Sequence, residues 1–315
     1  MRLYKYRSNF KRDLRTLSKG QIYAPTYDNL NDPFEGIFND SEDKSIIEIF
    51  KPFSNEAEKS YNSVLEQLYK SGIYSLSKNY DNETLWALYA DSHKGFVIEY
   101  DLTSLISDFN FNANIPLAYE VDVEYRNEPA KSNLLLSSLK KEFNITPLIG
   151  TKSKPWKVEN EFRLVFQMSG LININFNSIT SIIFGLRATD ENIHKTMKIL
   201  KGRGIKYFKM SKMENTYKLT KVSIEDQFQN FKCIPKRVVV KDIDIPNECA
   251  YLKKEIFKVL KNILQLPNIT GIYNFYFDTE AVNPKIKVFA TTTFEKIPLR
   301  YFQYKVENNN IELDI

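Results

Sequence analysis

The stretch GIYSLSKNYDNETLWALYADSHKGFVIEY, Gly72 to Tyr100, predicts a strand, a tight polar turn, a short helix and a second strand. In the first strand Ile73, Ser75 and Ser77 face one way while Tyr74 and Leu76 face the other. Tyr80, Asp81 and Asn82 carry turn chemistry, and Asp81 or Asn82 can cap the helix that follows. Leu85, Trp86 and Tyr89 stand at helical spacing on one face. His93-Lys94-Gly95 supplies a cation and a glycine where a helix leaves carbonyls unpaired. A helix this short holds only when packed on a sheet. The polar groups left over, Ser75, Ser77, Asn82, Tyr89 and His93, mark a site as well as a core.

Outward from this stretch, strands are expected at Leu3–Tyr6, Gln21–Ala24, Leu117–Tyr125, Val158–Phe166, Ile179–Phe184, Lys206–Met210 and Tyr217–Val222. Helices are expected at Asn9–Leu17, within 41–70 on either side of a Pro52–Asn55 loop, at Ser132–Phe143 and at Asp190–Leu200. Pro33 forces Asp32 out of the helical region, so 31–35 is a fixed loop. Beyond a composition change near Ile234-Pro235-Lys236, an amphipathic helix at 251–264 precedes strands at 272–277, 285–292 and 299–306. The order predicts an α+β fold, a split or strongly bent mixed β-sheet flanked by helices over 1–233, with a small C-terminal α+β module over 234–315.

The chain has 315 residues, 43% of them hydrophobic, enough for a substantial core. Its 44 cations against 39 anions give a mixed surface, which permits a nucleotide ligand without requiring one. Cys233 and Cys249 imply no disulfide scaffold and fit a reducing cytoplasm. With only His93 and His194 beside them, no metal site is expected. No secretory leader is read at the N-terminus, and no apolar run is long enough to span a membrane.

Three polar clusters fall on predicted strands: Lys5 with Arg7, Ser75 with Ser77, and Glu159 with Glu161 followed by Arg163. A cation, a hydroxyl pair and a carboxylate pair suit a phosphate, a ribose and a developing positive charge. Taken singly, each has an ordinary structural role. Glu159, Glu161 and Arg163 read as a solvated strand face with ion pairs, Trp86 and Tyr89 as core, and His93 as a helix-end cation. No P-loop, dinucleotide-binding glycine motif or nucleophile elbow is present.

LYKYRS at 3–8, NDPFEG at 31–36, DNETLWALYADSHKG at 81–95, the W-x-x-E-x-E-F-R pattern at 156–163 and SIIFGL at 181–186 resemble the bacterial family known as domain of unknown function 2971, over roughly residues 1–210. The three strand clusters also resemble, more loosely, the ADP-ribosyltransferase superfamily, whose members carry a first-strand cation, a Ser-x-Ser strand and a Glu-x-Glu. That likeness implies NAD as substrate, cleaved at the nicotinamide–ribose bond, and a macromolecular acceptor, protein or nucleic acid. By it Arg7 or Lys5 holds the NAD phosphates or ribose, and Ser75 and Ser77 order the nicotinamide-side strand. Asn82 and His93 line the same pocket, and Trp86 and Tyr89 stack on the nicotinamide. Glu161 stabilises the oxocarbenium-like transition state and Glu159 faces the acceptor. Family-level analogy adds a toxin or phage-defence role. Two other readings stand beside it. One is a Mg²⁺-dependent nuclease or phosphodiesterase using Asp32, Glu35, Glu159 and Glu161 with Lys152 or Lys154 nearby. The other is a non-catalytic domain that senses a nucleotide or partner.

Overall fold

The computed structural model describes residues 1–53, 55–106, 115–132, 134–135, 145–174, 178–230, 245–264, 266, 269–279, 284–292 and 299–314. It is an α+β protein with one large mixed sheet and several small ones. The large sheet has eight strands: β1 (Arg2–Arg7), β4 (Gly72–Ser77), β5 (Phe96–Asp101), β6 (Leu117–Asp122), β10 (Glu161–Phe166), β12 (Ile179–Phe184), β13 (Lys206–Lys212) and β14 (Leu219–Ile224). Their order across the sheet is β14-β13-β12-β5-β1-β4-β10-β6. β12 and β13 run parallel, and every other neighbouring pair is antiparallel.

The sheet is split at its centre. β1 pairs with β5 along its whole length, from Arg2 opposite Asp101 to Arg7 opposite Phe96. On its other side β1 meets β4 at one Cα pair alone, Tyr4 opposite Ser77. β4 continues in full register with β10, placing Ser77 opposite Glu161, Ser75 opposite Arg163 and Ile73 opposite Val165. The gap between β1 and β4 is where the polar residues gather.

Strand alternation sends side chains to two buried faces. On the first face Leu3, Tyr74, Leu76, Phe162, Leu164 and Phe166 join a core covered by α1 (Phe10–Ser18) and α6 (Asp190–Ile199), through Leu14, Leu17, Ile193 and Met197. On the second face two apolar clusters lie apart. One joins Ile73, Val121 and Val165 to Tyr61 and Leu68 of α3 (Glu56–Lys70), which follows α2 (Ser41–Phe50). The other joins Tyr4, Tyr6, Val97 and Ile183 to Leu85 and Trp86 of α4 (Glu83–Tyr89). Between them runs a polar strip from Ser75 and Ser77 to Glu161 and Arg163. The strand from Glu161 to Phe166 is buried on both faces, so the solvated-face reading of its charges does not hold.

Short elements complete this part of the chain. β2 (Gln21–Ala24) pairs with β11 (Gly170–Asn173), β3 (Phe38–Asn39) with β8 (Ala130–Lys131), and β7 (Glu124–Arg126) with β9 (Thr151–Ser153). α5 (Thr146–Ile149) leads into β9. Of the helix expected at 132–143, Ser132, Leu134 and Leu135 are described; Ser132 lies outside any helix and the two leucines are helical. The boundary expected near 234, and Cys233, lie outside the described residues. Cys249 is free and buried.

Near the C-terminus α7 (Lys253–Leu264) precedes a separate antiparallel sheet of β15 (Ile269–Asp278), β16 (Lys285–Thr292), β17 (Leu299–Glu307) and β18 (Asn310–Leu313). Ile256, Leu260 and Ile263 of the helix share one apolar cluster with Phe275, Val288 and Phe302 of the sheet. Among the described residues no helix is long and apolar enough to cross a membrane.

Candidate functional site

A cavity of about 420 Å³ opens at the split between β1 and β4, and Lys5, Ser75, Ser77, Tyr89, Glu159 and Glu161 all line it. Asn31 and Glu35 of the 31–36 loop, and Lys152 of β9, complete its polar wall. Of the two first-strand cations, Lys5 is the one that reaches it. Its Nζ donates to the Ser75 carbonyl at 2.7 Å and sits 4.9 Å above the Tyr74 ring. Arg7 points away, to a buried position where Nη2 donates to Tyr74 Oη at 3.3 Å and the guanidinium lies 4.0 Å from Asp13. Position along the strand, and not alternation, separates the two. Both side chains leave β1 on the face of Leu3, but only Lys5 stands at the open split.

Three further expected site residues have other work. Trp86 is fully buried, donates from Nε1 to the Tyr80 carbonyl at 2.7 Å, and meets Tyr6 edge-on at 5.4 Å. It is core, with no face toward the cavity. His93 stacks on the far side of Trp86 at 6.2 Å. α4 ends at Tyr89, and Asp91, Ser92 and His93 turn the chain with three successive left-handed residues. His93 thus stands past the helix end and not on its last turn as expected, and burial, then Arg187, lowers its pKa. Asn82 caps α4 by accepting from Leu85 N at 3.2 Å, and its Nδ2 donates to the Val158 carbonyl at 2.7 Å. It ties the helix to the segment carrying Glu159 rather than meeting a ligand.

Glu159 and Glu161 do not alternate along one strand. Glu159 ends a 3-10 turn (Lys154–Glu159), Asn160 is left-handed at φ 43°, and β10 starts at Glu161. The turn brings both carboxylates to Lys152. Lys152 Nζ lies 2.6 Å from Glu159 Oε2, 3.4 Å from Glu161 Oε2 and 3.2 Å from Glu35 Oε1. Arg163, fully buried, donates to Glu161 from Nε at 2.9 Å and to Glu35 from Nη2 at 2.7 Å. Its Nη1 donates to the Ile149 carbonyl at 2.9 Å. Tyr89 Oη donates to Glu159 Oε1 at 2.5 Å and accepts from Asn31 Nδ2 at 3.3 Å. Ser77 Oγ donates to the Glu159 carbonyl at 2.7 Å.

The two glutamates are electrically unlike. Burial opposes ionisation of Glu161, but Arg163, Lys152 and a hydrogen bond from Ser75 overcome it and hold the carboxyl down at about 2. Burial raises Glu159, and the neighbouring Glu161 charge adds to this against the pull of Lys152. One carboxylate is therefore fixed as an anion, while its neighbour is poised to take a proton. Burial and the Glu159 contact also raise Tyr89, keeping it a phenol.

As site residues Lys152 and Glu35 entered the sequence reading with the metal-cluster alternative, Glu35 also belonging to the 31–36 motif. Asp32 is buried elsewhere, accepting from Phe34 N at 2.9 Å to fix the loop that delivers Glu35. Lys154 is exposed. The Lys152 ammonium occupies the point on which the three glutamates converge, so a metal ion there would have to displace it. Among the described residues no group of three or more His, Cys, Asp or Glu is arranged to hold a metal. Nothing in local pattern distinguishes Lys152 from Lys154 and Lys157; Lys152 alone of the three sits on β9, paired with β7, and is buried.

No curated protein and no solved structure matches the chain. A family model described as "Protein of unknown function (DUF2971)" matches residues 85–164, which run from α4 to the middle of β10 and include Tyr89, Lys152, Glu159, Glu161 and Arg163. Over that segment the chain is similar to the domain of unknown function 2971 family, as its motifs at 81–95 and 156–163 led us to expect.

Proposed function

We propose that the cavity binds NAD and cleaves its nicotinamide–ribose bond, transferring ADP-ribose to water or to a macromolecular acceptor. The observation that carries the reading is the joint placement of Lys5, Ser75, Ser77, Tyr89, Glu159 and Glu161 around one cavity at the split of the sheet. Its size and mixed wall suit a nucleoside-sized portion of the ligand. As the C1′–N bond breaks, its electron pair goes to the nicotinamide nitrogen and positive charge develops on the ribose ring. Glu161 is a carboxylate held ionised in a site where water is scarce, the setting in which a fixed charge stabilises a cationic transition state most. The attacking water or acceptor group adds to C1′, and Glu159 takes its proton. Tyr89 and Lys152 orient Glu159 for that step. A second cavity of about 380 Å³, lined by Phe34, Ile37 and Arg126, shares Lys152 as a wall; on this reading it is where an acceptor docks. A toxin or phage-defence role remains an analogy from the superfamily likeness.

One feature favours a second reading. Arg163 and Lys152 already offset the Glu161 charge. A pocket neutralised in this way serves recognition as well as turnover, so a nucleotide-sensing domain is the alternative. The discriminating experiment measures nicotinamide release from NAD, transfer of labelled ADP-ribose to lysate, and NAD binding by calorimetry on one preparation. Release that is lost in Glu159→Gln supports catalysis. Binding without release selects the sensor, and absence of both rejects NAD as the ligand.

A further inference from the structure

Lys5 has an unusual setting for a lysine at a polar site. Lys5 lines the cavity, yet no carboxylate lies within ion-pair distance of its Nζ among the described residues. Its hydrogen bond goes to a neutral group, the Ser75 carbonyl, at 2.7 Å. Arg7 is a cationic neighbour, and both cations face the one buried ring of Tyr74, at 4.9 and 5.8 Å. Desolvation beside a second cation is the arrangement that turns a lysine into a nucleophile. The cavity wall opposite is rich in hydroxyl, amide and carboxylate groups: Ser75, Ser77, Asn31, Tyr89, Glu159 and Glu161. Such a wall selects a polyhydroxylated ligand.

We infer that Lys5 is a nucleophilic amine that forms an imine with the carbonyl carbon of a reducing sugar held in this cavity. The Nζ lone pair adds to the open-chain aldehyde carbon, and the carbonyl oxygen takes up a proton to give a carbinolamine. Loss of that hydroxyl together with the one remaining nitrogen proton, as a single water, leaves the C=N bond. Amine and aldehyde go in, imine and water come out, and no oxidant or reductant is needed. The inference does not rest on NAD as substrate. If NAD is cleaved here, the ADP-ribose product carries such a sugar.

The charges facing Lys5 come from four elements: Arg7 on its own strand, Asp13 on α1, Glu159 on the 3-10 turn and Glu161 on β10. Burial lowers its pKa most and Arg7 lowers it further, against the three carboxylates, bringing it to about 7 from the ordinary 10.5. The amine is therefore substantially unprotonated at neutral pH, where exposed lysines are not.

The test uses the full-length protein with ribose 5-phosphate and cyanoborohydride, which reduces the imine to a stable secondary amine. Site occupancy is read by peptide mass spectrometry between pH 6 and 10. At pH 7 Lys5 should be labelled at least about tenfold faster than the exposed Lys94 and Lys131, because the difference in free-amine fraction exceeds the loss of intrinsic nucleophilicity. Its labelling should rise with a midpoint near 7, and the preference should vanish in 6 M urea. Carbamylation by cyanate, which needs no sugar seat, should show the same selectivity. Labelling of Lys5 no faster than Lys94, or a midpoint above 9, would overturn the inference. Selective carbamylation without a selective sugar adduct would overturn the ligand class. NAD cleavage is measured separately, so its failure leaves this outcome readable.

Discussion

Glu161 and Arg163 stand two residues apart on one strand and hold each other by two hydrogen bonds, Nε to Oε1 at 2.9 Å and Nη2 to Oε2 at 3.1 Å. Neither is exposed, and Ser75 stands opposite Arg163 in the register. Glu161 is thus a structural partner before it is anything else. Glu161→Gln keeps the shape but leaves a fully buried guanidinium with Glu35 as its sole carboxylate partner. The variant should lose about 3 kcal/mol of stability, the lower end of what breaking a buried pair costs. The pH dependence has a definite sign. With its folded pKa near 2 against 4.5, Glu161 contributes stability that is full above about 4.5 and is lost as pH falls toward 2. Urea unfolding of the wild type between pH 5 and 2 should show this loss, and the Gln variant should show less of it. Equal slopes would remove Glu161 from the acid sensitivity.

Glu159 should behave differently. Its carboxyl is raised rather than lowered, so Glu159→Gln removes little charge stabilisation and mainly removes the proton acceptor. We expect nicotinamide release to fall by roughly 10²–10⁴-fold, the usual contribution of a positioned acid or base, with a smaller change in melting temperature than for Glu161→Gln. Tyr89→Phe deletes the 2.5 Å hydrogen bond to Glu159 Oε1 and should raise the apparent pKa of the activity, because that bond stabilises the ionised carboxyl. A pH–rate profile checks this. An unchanged profile would make Tyr89 a wall residue only.

Much of this architecture was legible because its strands alternate and its helices are capped. Gln21–Ala24, Ile179–Phe184 and Lys285–Thr292 have the bounds their patterns gave. Asn9 and Thr189 cap the helices expected after them. The site was partly legible for the same reason: Ser75 and Ser77 share a face by period two. What pattern could not supply was depth and hand. Trp86, Tyr89 and His93 share a motif, but three left-handed residues after Tyr89 turn His93 behind Trp86 and away from the cavity. Arg7 and Lys5 share a face, and the choice between them depends on where β1 leaves β4, a tertiary fact. Glu35 lies in the 31–36 motif, but its pairing with Lys152 carries no local signal, because it exists only when that loop and a two-strand pairing close over β10.

Asn82 links the helix bearing Tyr89 to the turn bearing Glu159. Asn82→Ala should cost about 1 kcal/mol as a lost cap. Asn82→Asp keeps the cap but lacks the donor to the Val158 carbonyl, so it separates the two roles. If the tie positions Glu159, the Asp variant should unfold like wild type yet show reduced kcat with KM little changed. Full activity in Asn82→Asp would limit Asn82 to capping.

Gly95 closes the turn after α4 at a point where no side chain fits. A Cβ there would lie 2.1 Å from the Arg7 carbonyl oxygen and 3.0 Å from that of Ala90. Both obstacles are backbone, so relief requires β1 or the turn to move. Gly95→Ala should destabilise by about 3 kcal/mol, at the upper end of overpacking, and shift the midpoint of urea unfolding accordingly. A near-neutral variant would show that the turn yields, and with it the position of β1 beside the cavity.

The C-terminal elements offer the last test. The cluster of Ile256, Leu260, Phe275, Val288 and Phe302 draws all its described members from residue 245 onward, and its sheet shares no strand with the eight-stranded one. The three clusters around the cavity draw all of theirs from before residue 229. Two cores that share no residues should unfold separately. A fragment of residues 1–233 should therefore be soluble, unfold in one cooperative transition, and retain ligand binding at the cavity. Its calorimetric trace should match one of two transitions in the full chain. Aggregation of the fragment, or one transition in the full chain, would mean that the last four strands cover a surface the first part cannot leave exposed.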